Sequence, residues 1–412
     1  MNQNNRNNRD NRGNRGRAEL LTTGKKVELT TIGSNPVELS KAEGRTNKLS
    51  LISFFVLLAG VLFFTACETD PLGPNADDSI LPEKFSVDIP DAISQDISSK
   101  KSVAIDTMKG NNIYEHLTFF IHVGEEAAEI VEGIIRGISV YDIDRIITLT
   151  FEGEDDGRIK NLVVEASPEY EDRVWDYGLT ITDAESEVNE DGGKAVQLFW
   201  NDNPREGVAL LKPYNIDRDD ANFLDAMFRI DYSEAGEMGY DAHMIVAISD
   251  LPSVDPLLEP FAMSAMKMFV GKKGEFVDVY GNSSHPNAKF LTSTTGYNWA
   301  FIASGEDNRD VAAAEVGLPL SILDATGREV LLEEYSIKNV FTNEVKTVWP
   351  VASDDLIAAW LTNTEAPGFF NNGGFVQGGT LPGEEYSGVT ERLSGLSPYN
   401  PKSIANLEIS FK

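Results

Sequence analysis

The sequence predicts a mainly β protein of the α+β class, with one large antiparallel sheet, arranged as a barrel or a sandwich, and one principal N-terminal helix. Three observations support this prediction. Apolar and polar residues alternate over many short segments, turn residues separate these segments at intervals, and a helical periodicity appears over one long stretch. We expect these elements to form a single β-rich domain over residues 111–412.

The helix is predicted from apolar residues that recur three, four or seven positions apart between residues 113 and 138. Asn111 or Asn112 is a suitable cap for its first turn. Glu125, Glu129 and Glu132 lie away from the apolar stripe. We therefore expect one face of the helix to be buried and the other to contact solvent.

Four hairpins are predicted where a turn sequence separates two runs of alternating polarity. Their turns lie at residues 156–157, 191–193, 271–274 and 324–327. Further strands are predicted at residues 85–89, 208–211, 227–232, 244–248, 297–303 and 404–411, and a short helix at residues 356–361. Residues 364–401 are rich in Gly, Pro, Asn and Ser, so they are expected to be an ordered loop.

An export segment is predicted at residues 1–66. Residues 49–64 form the only long apolar run and contain no charged residue, and their 16 residues fall short of the about 20 that a membrane-spanning helix needs. Ten Lys and Arg residues precede the run against five acidic residues, which predicts a signal peptide and export of the following chain. The basic, Asn-rich residues 1–17 are expected to be disordered.

The apolar run is followed by Phe64-Thr65-Ala66-Cys67, which resembles the lipobox of bacterial lipoproteins cleaved by signal peptidase II. The resemblance covers only the export segment, and Phe64 stands where the family usually has Leu, Val or Ile. It implies that the Cys67 thiol receives a diacylglyceryl group, that the bond before Cys67 is cut, and that the new amino terminus is acylated. The implied partner is a membrane, and the implied location is the cell envelope, with the outer membrane as the expected site.

Composition limits what the exported chain can do. Cys67 is the only cysteine, so lipidation leaves no thiol for a disulfide or a metal site. Residues 67–110 are polar and contain four prolines, and we expect them to form a tether. The whole chain has a net charge of −31, and 25 basic against 61 acidic residues follow the export segment. This charge disfavours nucleic acid as a partner.

Enzyme motifs occur only in incomplete form. Ser264 and Lys267 match the Ser-x-x-Lys of penicillin-binding proteins and β-lactamases, but no Lys-Thr-Gly follows. The four histidines lack the spacing of a zinc site, and neither a P-loop nor a nucleophile elbow is present. The sequence therefore predicts no catalytic residue, no metal and no cofactor.

Aromatic residues on predicted strands suggest a binding surface. Trp175, Trp200 and Trp299 could stack on a glycan, because sugar rings present apolar faces, although core positions are the commoner place for such residues. The predicted function is a lipid-anchored envelope protein that acts by binding or assembly, with a glycan or an envelope protein as its partner. Two alternatives are a hydrolase with an unlocated acidic pair and a carrier of a hydrophobic ligand in a barrel. The oligomeric state is left open.

Overall fold

A computed structural model describes residues 80–82, 84–96, 110–139, 146–153, 156–253, 255, 259–290 and 292–412. It confirms the predicted fold class, since one large antiparallel sheet dominates and a long helix precedes it. The predicted export segment and its lipobox at Cys67 lie outside the described residues.

The sheet is a meander in which strands that follow one another along the chain pair side by side. Thirteen strands form it in the order β1-β2-β5-β6-β7-β8-β9-β10-β11-β12-β13-β14-β15, and β3 and β4 form a separate hairpin. The strands are β1 (Thr148–Glu152), β2 (Ile159–Ala166), β3 (Glu169–Tyr170), β4 (Arg173–Val174), β5 (Tyr177–Asp183), β6 (Lys194–Asp202), β7 (Arg205–Leu211), β8 (Met227–Ser233), β9 (Ala242–Ser249), β10 (Ala265–Lys273), β11 (Phe276–His285), β12 (Tyr297–Glu306), β13 (Val311–Gly317), β14 (Gly368–Asn371) and β15 (Gly374–Gly378). The sheet is not closed, which excludes the barrel.

Six α-helices accompany the sheet in the described residues. They are α1 (Gly110–Ser139), α2 (Pro213–Ile216), α3 (Ile337–Val348), α4 (Asp354–Trp360), α5 (Ser387–Leu393) and α6 (Pro401–Ala405). The long helix α1 confirms the principal helix predicted at residues 113–138, and α4 confirms the short helix predicted at residues 356–361.

One face of the sheet, which we call the inner face, is covered by α1. The helix contacts β8, β9, β10, β13 and β15, and its buried side chains include Leu117, Phe120 and Val131. Its first residue, Gly110, donates its N–H to the Thr362 carbonyl, 2.8 Å away. A Cβ on Gly110 would lie 1.6 Å from the Asn363 carbonyl oxygen, so the start of α1 requires glycine to approach this backbone.

Residues 84–96 lie across the inner face beside α1, and they include the fully buried Phe85. The strand predicted at residues 85–89 is not formed. Carboxylates of α1 accept the backbone N–H groups that a neighbouring strand would otherwise bind. Glu132 Oε1 accepts the Phe85 N–H at 2.8 Å, and Glu125 Oε1 accepts the Ile89 N–H at 2.9 Å. These two carboxylates therefore contact the chain rather than only solvent. Residues 80–82 and 84–96 of the predicted tether are packed against the sheet.

The opposite, outer face is covered in part by three short elements. Helix α5 and its neighbours bury Ala300, Ile302 and Ala313 of the sheet. The β3–β4 hairpin and residues 409–411 cover Phe199 and Val208. Every residue of β12 and β13 is buried, because both faces of these two strands are covered.

Three of the four predicted hairpins are confirmed as β1–β2, β5–β6 and β10–β11. The fourth, with its turn at residues 324–327, is wrong. Residues 329–334 form a π-helical turn that buries Leu331 and Leu332 on the outer face. A strand of the predicted hairpin could have paired with the free edge of β13, but β14 pairs with this edge instead.

Two predictions for the last 50 residues are also wrong. The expected loop at residues 364–401 contains β14, β15 and α5. The expected strand at residues 404–411 is not formed, because α6 includes residues 404 and 405 and the chain then crosses the outer face. Its side chains still alternate between half-buried and exposed over residues 407–412, which explains why the sequence pattern resembles a strand.

Candidate binding site

The three tryptophans expected to form a stacking platform are buried. Their exposed fractions are 5% for Trp175, 0% for Trp200 and 1% for Trp299. Trp200 stacks on Tyr177, and Trp299 packs edge-on against Phe120 with ring centroids 5.5 Å apart. Because no ring face is open to solvent, these three side chains contribute to the core and not to a glycan platform.

Ser283 and His285 on β11 form hydrogen bonds like those of a catalytic serine and its histidine base. Ser283 Oγ lies 2.8 Å from His285 Nε2, and His285 Nδ1 lies 2.8 Å from the Phe261 carbonyl oxygen. Both side chains are fully buried, and burial lowers the pKa of His285 to about 3. The Ser-x-His spacing, which belongs to none of the enzyme motifs considered above, places both residues on one face of a strand. Ser283 and His285 are therefore buried polar side chains whose hydrogen-bonding groups pair within the core.

The Ser-x-x-Lys motif does not form a catalytic pair. Ser264 Oγ donates to the Ser284 carbonyl at 3.2 Å, whereas Lys267 Nζ lies 5.0 Å from the centroid of the Tyr399 ring. Within the described residues, no three His, Cys, Asp or Glu side chains are grouped so that they could hold a metal ion. No helix in the same part of the chain is both long and apolar enough to cross a bilayer.

The clearest exposed feature is a group of apolar side chains around the turn between α3 and α4, which we call the Trp tip. The exposed fractions are 38% for Val348, 48% for Trp349, 95% for Val351 and 46% for Leu356, and a half-buried Trp360 completes the group. The rings of Trp349 and Trp360 meet edge to face with centroids 6.5 Å apart. A group of apolar side chains exposed together on a protein surface usually marks an interaction site.

Helix α3 is positioned by its buried face and one carboxylate. Ile337, Val340 and Val345 face the core. Glu344 accepts hydrogen bonds from Tyr297 Oη at 2.9 Å and from the backbone N–H of Thr292 at 3.1 Å. Burial, and then the hydrogen bond to Glu344, raises the pKa of Tyr297, so this hydroxyl stays protonated as a donor. The helix is therefore fixed to the first residue of β12.

Helix α4 is fixed by its cap and its buried face. The Ser353 side chain accepts the N–H of Leu356 at 3.2 Å, and Asp354 and Asp355 lie in the first turn, where the helix dipole favours negative charge. Lys346 of α3 contacts Asp354 at 2.5 Å, and its hydrogen bond and charge lower the pKa of this carboxyl group. Ile357 is buried beneath. The Trp tip is thus held between two anchored helices.

The Trp tip was missed in the sequence because its residues lie between two helices. The tryptophans that were expected to bind a ligand lie on predicted strands. Residues 348–351 read Val-Trp-Pro-Val, and they precede the Ser353 cap. A turn between two helices is normally polar, and Pro350 prevents the helix from continuing. Apolar residues at such a turn cannot all be buried by the two helices they join.

The Trp tip and the first described residue are attached to different strands of the sheet. The Ile80 carbonyl accepts the Trp200 Nε1–H at 2.9 Å, close to the last residue of β6. The Trp tip is attached beside Tyr297, the first residue of β12. These two strands, β6 and β12, are six positions apart in the sheet.

Comparison with known proteins adds no assignment. No family model matches the chain, and neither a curated protein nor a solved structure is similar to it. The interpretation of the Trp tip therefore depends on its own geometry and charge.

Proposed function

We propose that the chain is a lipid-anchored cell-envelope protein that acts by binding a partner protein through the Trp tip, and not by catalysis. The observation that supports this proposal is the exposure of Trp349 and Val351, in the turn between two anchored helices, and of Leu356 on α4. Tryptophan is the residue type most enriched among those that dominate binding energy at protein interfaces. A side chain held rigidly before binding also loses little entropy on association.

The chemistry of the Trp tip favours a protein over a glycan or a lipid surface. The rings of Trp349 and Trp360 are inclined at 75°, so they do not form the flat platform that a sugar ring stacks on. Asp354 and Asp355 flank the apolar side chains, and the chain carries a net charge of −31, which disfavours anionic head groups. The partner we expect has an apolar recess with basic residues at its rim.

The lipid anchor is proposed from the lipobox resemblance at Cys67. Only 13 residue steps separate Cys67 from Ile80, and this length spans at most about 45 Å. Ile80 contacts β6, whereas the Trp tip is attached at β12, six positions away in the sheet.

The carrier hypothesis receives no support from the described residues. The inner face of the sheet, where an enclosed ligand would lie, is occupied by α1 and by residues 84–96. Phe120 and Trp299 meet there in direct contact.

Site-specific photocrosslinking in living cells tests the proposal. A benzoylphenylalanine at position 351 is expected to give one protein adduct of defined mass, and Leu356→Ser should abolish it because the contact surface is disrupted. Position 188, where Val188 is 94% exposed and outside the Trp tip, is the matched control and should give no such adduct. An adduct with lipid, or the same adducts from both positions, would contradict the proposal.

A further inference from the structure

The open sheet has two edge strands, β1 and β15, and they differ in how they are protected. Strand β15 begins and ends with glycine, its pairing with β14 contains a register shift, and α1 contacts it. Such irregularities discourage the addition of a further strand at a sheet edge. Strand β1 contains neither Gly nor Pro and pairs with β2 in an unbroken register from Thr148 to Glu152. The edge of β1 is therefore suited to pair with a further strand.

The outer edge of β1 presents regularly spaced backbone groups. The Val164 N–H of β2 donates to the Ile147 carbonyl at 2.9 Å, in register with the β1–β2 pairing. The residues whose backbone groups face a given neighbour alternate along an antiparallel strand. The N–H and C=O groups of Thr148, Thr150 and Glu152 therefore point away from β2. In the part of the chain that the structure describes, no strand pairs with these groups.

Apolar side chains at this edge are only partly covered. Leu149 and Phe151 of β1 are half-buried and pack against the main core. Ile146, Ile159 and Val163, on β2 or just before β1, have exposed fractions of 61%, 40% and 41%. A strand added at the edge of β1 would cover apolar side chains as well as backbone groups.

We propose that the outer edge of β1 pairs with the same edge of a second copy of this chain, so that two sheets join across a two-fold axis at Thr150. In this antiparallel register Thr150 lies opposite Thr150 of the other copy, and Thr148 lies opposite Glu152. Each outward-facing N–H and C=O group then gains a partner. Leu149 of one copy lies opposite Phe151 of the other, which joins two half-buried apolar side chains. The second copy is inferred from this self-complementary pattern.

The charges of β1 are compatible with this pairing. Glu152 is the only charged residue of the strand, and it faces Thr148 of the other copy instead of a second carboxylate. The whole chain has a net charge of −31, so two copies repel each other at longer range, and salt that screens this repulsion is expected to strengthen the dimer.

The contact is small. It uses one strand of five residues from each copy, which is less than a standard interface of about 1,600 Å², so we expect a dissociation constant in the micromolar range. It does not involve the Trp tip and is therefore independent of the proposed function.

Disulfide crosslinking of the full chain tests the pairing and its register. Cys67 is the only cysteine, so the wild type gives the baseline. Thr150→Cys is expected to form a disulfide-linked dimer after oxidation with copper phenanthroline, because opposite Cα atoms of a hydrogen-bonded pair lie about 5.5 Å apart, within reach of a disulfide. Thr148→Cys is the matched control, since its two copies would lie about 14 Å apart and should stay at the baseline. The double variant Thr148→Cys/Glu152→Cys should restore the dimer.

A proline at the centre of β1 tests whether the backbone edge makes the contact. Addition of Thr150→Pro to the Thr148→Cys/Glu152→Cys variant removes an N–H that faces away from β2, so β1 can keep its pairing with β2 while the second copy is blocked. We expect the initial rate of crosslinking to fall about tenfold, and the rate for Thr150→Cys to rise with salt concentration. Circular dichroism confirms that each variant is folded.

Four results would overturn the proposal. They are a folded Thr150→Cys chain that forms no dimer or is linked to a different polypeptide, equal crosslinking of Thr148→Cys and Thr150→Cys, crosslinking that the proline does not reduce, and a crosslinking rate that falls with salt.

Discussion

A buried carboxylate at the end of β5 provides a stringent test of how this sheet is stabilised. Asp183 has no exposed surface, and three cations surround it: Arg158 Nη2 at 2.8 Å, Arg218 Nε at 3.3 Å and Lys160 Nζ at 3.8 Å. Burial alone would raise the pKa of Asp183. The hydrogen bonds from Arg158 and Ser186, and the charge of Lys160, outweigh burial and leave this pKa below its ordinary value.

The substitution Asp183→Asn keeps the size of the side chain and removes its charge. Lys160 keeps Asp156 at 2.8 Å and Arg158 keeps Glu185 at 3.1 Å as partners. We therefore expect a loss of unfolding free energy at the lower end of the about 3–5 kcal/mol that removal of one partner from a buried ion pair costs. The matched control is Asp88→Asn, which breaks the solvent-exposed pair between Lys84 and Asp88. Exposed pairs of this kind contribute about 0.2–1 kcal/mol.

Urea unfolding followed by circular dichroism measures both costs at pH 7. Because the folded pKa of Asp183 is lowered, its charge stabilises the fold above the unfolded pKa of about 3.9, and this contribution is lost as the pH falls through the folded value. The difference between wild type and Asp183→Asn should therefore shrink below about pH 4. A cost at pH 7 no larger than that of Asp88→Asn, or a difference that does not change between pH 7 and pH 3, would refute the reasoning.

The anchor, the inner face and the incomplete motif can each be tested by one substitution. Cys67→Ala should abolish palmitate labelling and release the protein from membranes, because one cysteine supports the proposed anchor; labelled, membrane-bound variant protein would contradict the lipobox interpretation. Phe85→Ala should lower the unfolding free energy by about 3–5 kcal/mol, because this ring is fully buried. The control Val174→Ala should change the unfolding free energy little, because Val174 is exposed. Equal effects of the two substitutions in urea unfolding would show that residues 84–96 are not part of the core. Ser264→Ala should cost at most about 1 kcal/mol for one lost hydrogen bond, and the wild type should not react with a fluorescent penicillin; a labelled Ser264 would establish a nucleophile.

Local patterns in the sequence were sufficient for most of the sheet. Alternation of polar and apolar residues with a turn sequence between two runs correctly predicted β1–β2, β5–β6 and β10–β11. The helical period predicted α1, because an apolar stripe that repeats at this spacing can be buried on one side only if the segment is helical. These features depend on residues close together in the chain, so they can be recognised without knowing the fold.

The same patterns failed where a distant element supplied the partner. Phe85 and Ile89 alternate like strand residues, but the carboxylates of Glu132 and Glu125 take their N–H groups. Ile409 and Phe411 also alternate, but they lie across the strands. Alternation of polar and apolar residues indicates that one side of an extended segment is buried. It does not indicate which part of the protein covers that side.

The candidate sites were decided by tertiary structure. An aromatic residue on a strand is available for binding only if nothing covers its face. On the inner face, Phe120 of α1 packs on Trp299, and the chain at Ile80 contacts Trp200. Trp349 is exposed because the core lies beneath Ile357 and Val345 on the other side of the same two helices. The amino-acid sequence by itself determined most strands of the sheet, the principal helix, the charge and the lipobox resemblance, while only the packing of distant segments decided which aromatic side chains face solvent.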